Sequence, residues 1–268
     1  HKYLNKKTKK IDSLIEKINR KLELLKEQKE VLINKYVTQG LDPNVEKKNS
    51  GFNSVQEVPK NWEISKMKYN GYFICGFAFN SNLFLEKGNV RVLKISNIQN
   101  DGISWEDKSF ISDSYLETHK EFQIIKGDLL FVLTRPLIST GIKVTFFNEE
   151  FPTLLNQRNG IFRIKEEKIS KEFLYFLVRS NYFIKEFRNK IKETNQPNIS
   201  TEDISNIKII LPPLNEQHKI SIFLKNKLSN LEKVEKCEYK RLLVIKEYRQ
   251  SLISSVVTGK IRITEDML

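Results

Sequence analysis

One element of this chain is written twice. Residues 21–40 read KLELLKEQKEVLINKYVTQG and residues 241–260 read RLLVIKEYRQSLISSVVTGK. At an offset of 220, Leu22, Lys26, Glu27, Leu32, Ile33, Val37 and Thr38 fall on Leu242, Lys246, Glu247, Leu252, Ile253, Val257 and Thr258. A shared leucine spacing would follow from a Lys/Glu/Leu-rich composition alone. The shared exit, Val-Thr followed at once or one residue later by Gly, would not, so the pair is read as an internal repeat.

Both copies belong to longer amphipathic helices. In the first, Ile11, Ile15, Ile18, Leu22, Leu25, Lys29, Leu32 and Tyr36 recur at 4-3 spacing, a heptad seam broken once by lysine. A stripe about 40 Å long packs against another helix, not against a small core. Gly40 then stops it, with Pro43 beyond. The second helix resumes at Leu214, with Asn215 as its expected cap, and ends at Gly259. Its apolar positions include Leu224, Leu228, Leu231, Leu242, Ile245, Leu252 and Val256, and Glu235 and Glu238 interrupt them. The residues expected to pack helix on helix are Ile15, Ile18, Leu22, Leu25, Leu32, Leu242, Ile245 and Leu252. Lys29 and Arg249 break the two seams at equivalent places. They are expected to face a partner or DNA, unless the seam runs elsewhere.

Between the helices the chain changes character. Residues 41–61, with their Pro, Gly, Asn and Ser, read as a linker. Then VRVLKISNI (Val90–Ile98), DLLFVLT (Asp128–Thr134), IKVTFF (Ile142–Phe147) and GIFRIK (Gly160–Lys165) read as strands. Lys171–Arg179 and Tyr182–Lys192 read as helices, Ser200–Asp203 as a capped turn, and Ile207–Leu211 as a last strand. The predicted fold class is therefore α+β: a mostly-β domain with a few helices, plus two long helices pairing as an antiparallel coiled coil. The expected division is 1–48, 49–213 and 214–268.

Charge narrows the partners. The net charge of +13 suits a polyanion. Basic residues outnumber acidic ones by 13 to 7 in residues 1–48, 22 to 19 in 49–213 and 11 to 7 in 214–268. The middle is nearly balanced, so nucleic-acid binding there requires its basic side chains to gather on one face. No apolar run approaches the length of a membrane span and no signal-peptide pattern opens the chain. Cys75 and Cys237 lack metal-ligand spacing and read as small buried residues of a reduced, cytoplasmic protein. The three histidines, His1, His119 and His218, stand apart, and no phosphate-cradling glycine loop occurs. The acidic pairs Glu106-Asp107, Glu149-Glu150 and Glu166-Glu167 read as solvated turns. Without nucleophile, metal or cofactor motif, the chain reads as a binding module that needs no cofactor.

Base edges are read by Arg and Lys at guanine and by Asn and Gln at adenine. Such residues follow the predicted strands in Ser96–Asn100, Thr134–Pro136, Asn156–Asn159 and Thr194–Asn198. The candidate DNA contacts are Asn97, Gln99, Asn100, Arg135, Lys143, Gln157, Arg158, Asn159, Asn195, Gln196 and Asn198. Any one of them taken singly is also an ordinary turn residue. Four clusters in one domain, two holding arginine, favour the binding reading.

These motifs, in their order, resemble the specificity (S) subunit of a type I DNA restriction–modification enzyme. The resemblance rests on GDLLFVLTRP (Gly127–Pro136), NQRNGIFRI (Asn156–Ile164), the run from Gln196 to Ile220 with its LPPLNEQ junction (Leu211–Gln217), and SLISSVVTGKI (Ser251–Ile261). It implies a target-recognition domain that reads half of a split site in double-stranded DNA. It also implies two spacer helices, docking of methyltransferase (M) subunits that carry S-adenosylmethionine, and a restriction (R) subunit joining that core. On this reading the chain selects the sequence and catalyses nothing. A complete subunit of the family has two recognition domains and this chain has one. It is therefore expected to be the second half of a longer chain, as an opening His1 suggests, or else a half-sized subunit that forms a homodimer. Two further readings stay open: the recognition tail of a fused methyltransferase–endonuclease, and a coiled-coil scaffold without a DNA role.

Overall fold

The computed structural model describes residues 2–99, 102–138, 141–191 and 196–261. Helix α1 runs Lys2–Gln39. A hairpin of β1 (Lys47–Asn49) and β2 (Glu57–Pro59) follows, then β3 (Glu63–Lys66) and β4 (Gly71–Cys75). Next come β5 (Val90–Leu93), the hairpin β6 (Ile98–Gln99) and β7 (Gly102–Ile103), β8 (Phe110–Ile111) and α2 (Ser114–Thr118). After β9 (Leu129–Val132) lie β10 (Leu137–Ile138), β11 (Gly141–Ile142), β12 (Val144–Phe146), β13 (Thr153–Leu155) and β14 (Asn159–Ile164). Helices α3 (Lys171–Leu177), α4 (Asn181–Arg188) and α5 (Thr201–Ser205), strand β15 (Lys208–Leu211) and helix α6 (Leu214–Val257) complete the described chain. The α+β class read from the sequence is the one observed.

Contacts gather the chain into two compact units, residues 33–222 and the pair formed by 1–32 with 223–268. In the paired unit, Ile18, Leu22 and Leu242 are buried in one cluster, with Leu14, Ile15 and Ile245 packed against it. Leu25 and Leu252 are also buried, while Leu32 is half-buried. Three ion pairs cross between the helices. The Arg249 guanidinium grips Asp12 with Nε at 2.6 Å and Nη2 at 3.2 Å, Lys21 reaches Glu238 at 2.6 Å, and Lys29 meets Glu235. As one partner's number rises the other's falls, so the helices run antiparallel. Lys29 and Arg249 therefore face the opposite helix, where carboxylates at the interrupted positions satisfy them. The expectation that they turn outward is corrected, and the seam lies where the leucines put it.

The repeat is visible in backbone detail as well. Thr38 and Thr258 each donate a hydroxyl hydrogen bond to the carbonyl four residues back, Asn34 and Ser254, both at 2.7 Å. Gly40 and Gly259 then turn left-handed, at φ 74° and 73°, where a β-carbon would be strained.

Within residues 33–222, an antiparallel sheet of order β12-β9-β14-β4 lies at the centre. Its strand β9 is buried at every position, which is why it reads as a continuous apolar run instead of an alternating one. A second sheet, β13-β5-β8, pairs β13 with β5 in parallel. Leu93, Ile98, Leu130, Val132, Phe147, Leu155 and Ile161 form one core that draws on both sheets. Helices α3, α4 and α5 each start at a serine, Ser170, Ser180 and Ser200, whose hydroxyl accepts from the amide three residues on. Asp128, fully enclosed, is held by Arg163 through Nε at 2.8 Å and Nη2 at 2.7 Å, and this pairing drives the arginine's pKa above its ordinary value.

Three local readings change. The stretch read as a linker folds as the β1–β2 hairpin and buries Phe52, Val55 and Val58. Its glycine and asparagines make the turn, and its apolar residues were too widely spaced to register as strands. Asn215 does not cap α6: the Pro213 carbonyl accepts from the Glu216 and Gln217 amides, which places Asn215 inside the first turn. The two cysteines are exposed, Cys75 on the sheet-edge strand β4 and Cys237 on α6. The ends of the long helices that lie in this unit are tied to it by side chains. Asn34 accepts from the Tyr182 amide at 3.1 Å, and Glu216 accepts from the Trp62 indole at 2.9 Å. The buried Gln217 accepts from the Ser170 amide and donates to the Lys168 and Pro212 carbonyls.

Candidate nucleic-acid interface

The candidate residues converge where β5 and β9 end and β14 begins. Strand β14 pairs with β9 from Asn159 opposite Val132, so the turn before one strand lies beside the loop after the other. Main-chain hydrogen bonds lace these loops. The Leu133 amide donates to the Arg158 carbonyl at 2.8 Å, Ile199 to Leu133 at 3.0 Å, and Arg135 to the Pro197 carbonyl at 2.7 Å. Thr134 forms a β-bridge with Asn198. Three segments distant in sequence thus present Arg135, Gln157, Arg158, Gln196 and Asn198 at one exposed edge. From 133 to 136, 156 to 159 and 196 to 199 there is no acidic residue.

Arg135 and Arg158 share a further property. They have left-handed backbones, at φ 50° and 66°, and are the only described residues other than glycine to do so. That conformation costs an arginine roughly 1–2 kcal/mol. Such strain is kept where the surroundings impose it, often at functional sites. Here the imposing groups are the laced amides and carbonyls. Among the described residues neither guanidinium has a hydrogen-bond or ion-pair partner. By contrast, Arg91 pairs with Glu149 and lies over Trp105 and Phe151, and Arg163 is bound to Asp128.

Other candidates serve the fold. Asn97 is fully buried: its Oδ1 accepts from the Lys94 amide, and its Nδ2 donates to the Ser104 and Asp107 carbonyls, each at 3.0 Å. Asn159 is fully buried as well, its amide nitrogen 3.2 Å from the Asn156 carbonyl. Both are corrected from DNA contacts to organisers of turns, since their donors are spent on backbone carbonyls away from solvent. Lys143 is half-buried and donates to the Ile95 carbonyl at 3.1 Å, and burial holds its pKa below the ordinary lysine value. Gln99 stands exposed on the β6–β7 hairpin, with its amide on the Ser96 carbonyl. At the base of that hairpin Asp107 binds Lys94 and Ser96, and the Lys94 hydrogen bond, then that of Ser96, holds its carboxyl below the usual range. Asn100 and Asn195 lie outside the described residues.

The sequence reading missed the loop after β4. Phe77 forms a parallel bridge with Asn156, and its carbonyl accepts from the Gln157 amide at 2.8 Å. A β-carbon on Gly76 would collide with the Asn156 carbonyl, so glycine permits this close approach. The glycine within the aromatic run GYFICGFAF was the available signal. Among the described residues no group of three His, Cys, Asp or Glu side chains could hold a metal ion, and no helix is long and apolar enough to cross a membrane.

The chain belongs to the family described as the type I restriction modification DNA specificity domain, which matches residues 59–241. It is 35% identical over 253 residues to the type I restriction enzyme MjaVIII specificity subunit of Methanocaldococcus jannaschii, covering 94% of this chain and 58% of that one. It is 28% identical over 165 residues to the EcoAI specificity subunit of Escherichia coli, covering 61% of this chain and 28% of that one. The fold matches the HsdS subunit from Thermoanaerobacter tengcongensis with a TM-score of 0.58 at 15% identity, over 94% of this chain and 57% of that one. A structure described as showing complex assembly and conformational transition of the type I R-M system matches with a TM-score of 0.64 at 14% identity, over 94% and 58%. The chain thus spans somewhat over half the length of MjaVIII and of these two structures.

Proposed function

We propose that this chain is a DNA-recognition component of a type I restriction–modification complex and reads one half of a bipartite site in double-stranded DNA. The observation that carries the reading is the convergence of Arg135 and Arg158, strained and, among the described residues, without charge partners, on one edge built from three segments that hold no acidic residue. Guanidinium groups so placed suit bidentate contacts to guanine O6 and N7 in the major groove, and Gln157, Gln196 and Asn198 beside them suit adenine or phosphate. Residues 49–213 act as the recognition domain, and residues 1–48 and 214–268 as spacer helices that dock the M subunits. The R subunit joins through that assembly. The second half-site is read by another recognition domain, in the same polypeptide or in a second copy. Methyl transfer and cleavage belong to the partners, so this chain carries no reaction and no cofactor of its own. It works in the cytoplasm, where chromosomal and invading DNA are met.

The test is DNA binding by the chain assembled with its M partner. Methylome sequencing of a host carrying both genes supplies the site. Affinity for that site should fall steeply between roughly 50 and 200 mM salt as phosphate contacts are screened. A flat salt response, or no preference for the methylated sequence, would sink the proposal.

A further inference from the structure

The aromatic beside the arginines is unexplained by the contacts proposed above. Phe77 is 37% exposed, although its ring packs against Phe79 at 5.0 Å, His119 at 4.6 Å and Phe122 at 5.2 Å between centroids. Its main chain is fixed on both sides: its amide donates to the Leu155 carbonyl at 3.0 Å and its carbonyl accepts from Gln157 at 2.8 Å. The main chain of this exposed residue is therefore held on a rigid base against the turn that carries Gln157 and Arg158. A phenylalanine at a DNA-facing edge has two uses. It can enter the stack as a wedge between base pairs, or it can meet the methyl group of thymine. Three aromatic neighbours cover part of this ring, and a wedge must free most of a ring to slide between bases. The methyl contact needs only the exposed rim. It also lies in the major groove, the groove in which an arginine finds guanine O6 and N7.

We infer that Phe77 reads the 5-methyl group of a thymine in the half-site, next to a base pair met by Arg158. This rests on the proposal that the arginine edge is the DNA interface. The chemistry is specific, because uracil keeps every hydrogen-bonding edge of thymine and lacks only the methyl.

The experiment uses the full chain assembled with its M subunits and the half-site fixed by the methylome. Each thymine, on both strands, is replaced singly by uracil and the dissociation constant is measured. At one position uracil should weaken binding about four-fold, the worth of one buried methyl. Phe77→Ala should bind the thymine and uracil duplexes equally, and Phe77→Leu, which keeps an apolar side chain and guards against a misfolded Ala variant, should restore part of the preference. Indifference to uracil at every thymine, or a half-site without thymine, would overturn the inference. So would a uracil penalty that persists undiminished in both Phe77 variants. A rise in 2-aminopurine fluorescence on binding that Phe77→Ala abolishes, without any uracil effect, would identify a wedge instead. Guanine discrimination that Arg158→Ala removes, together with a silent uracil scan, would refute the role of Phe77 while leaving the arginine interface standing. Loss of no discrimination in Arg135→Ala and Arg158→Ala would remove the interface itself.

Discussion

The paired helices and the unit of residues 33–222 each hold two basic residues that break a local rule, and the two regions treat them in opposite ways. In the helix pair Lys29 and Arg249 interrupt an apolar seam, and each finds a carboxylate on the facing helix. In the unit of residues 33–222 Arg135 and Arg158 break a backbone rule and, among the described residues, remain without a charge partner. An irregularity that is satisfied internally specifies which elements pair and in what register. One that is imposed by the backbone and left unsatisfied leaves a charge available to something outside the chain.

That contrast can be broken or sharpened by substitution. The largest effect is expected at the enclosed pair of residues 33–222. Asp128→Ala strands the Arg163 charge and should destabilise that unit by about 3–5 kcal/mol. Trp62 and Trp105, the only tryptophans, both lie in residues 33–222, so their fluorescence in urea reports this unit. A loss under about 1 kcal/mol would rank the pair with ordinary surface bridges. Next comes Leu22→Ala in the helix cluster, at about 2–3 kcal/mol. It should lower the thermal transition seen by helical circular dichroism while the tryptophan transition stays in place, and a shift in both would contradict the division into two units.

The third prediction separates binding from stability. Arg158→Ala should cost about 1–3 kcal/mol of affinity at the cognate site. Arg158→Gly should lose the same affinity yet stabilise the unit by about 1 kcal/mol, by relieving the left-handed strain. An Arg158→Gly protein that unfolds more readily than the parent would show that the side chain is structural. Smaller still is the seam itself. Asp12→Arg and Arg249→Asp should each lower the helix-pair transition slightly, with the double exchange recovering most of the loss. Additive losses would mean that the two residues do not interact. The last effect is one of pH. The Lys21 hydrogen bond holds the Glu238 carboxyl below its ordinary pKa. Its contribution is therefore present above the usual glutamate range and lost as pH falls through the lowered folded value. Acid titration should loosen the helix pair in Glu238→Gln less than in the parent, and an identical acid response would exclude this carboxylate as a cause.

Much of the frame was legible in the sequence. Five predicted strands coincide with β5, β9, β12, β14 and β15, because each is a compact run of β-branched and aromatic residues. The long helices announced themselves by heptad spacing and by their repeated exit. The pieces missed are those whose apolar residues are dispersed among turn-formers, such as the β1–β2 hairpin. At the edge, Arg135, Gln157 and Arg158 could be picked as polar residues following strands. Asn97 and Asn159 could not be told apart from them, since asparagine serves a turn and a base edge with the same amide. Only burial distinguishes the roles. Phe77 escaped because nothing local says that a loop after β4 will lie against a turn eighty residues on.

The lacing of the loops has an evolutionary corollary. The bonds that join Leu133 to Arg158, Arg135 to Pro197 and Gln157 to Phe77 all run between main-chain atoms, which every residue but proline supplies in full. Side chains at the rim can therefore be exchanged without dismantling the platform on which they stand. On the proposed function, a lineage could acquire a new target sequence by a handful of point changes at the rim, each tolerated by the fold.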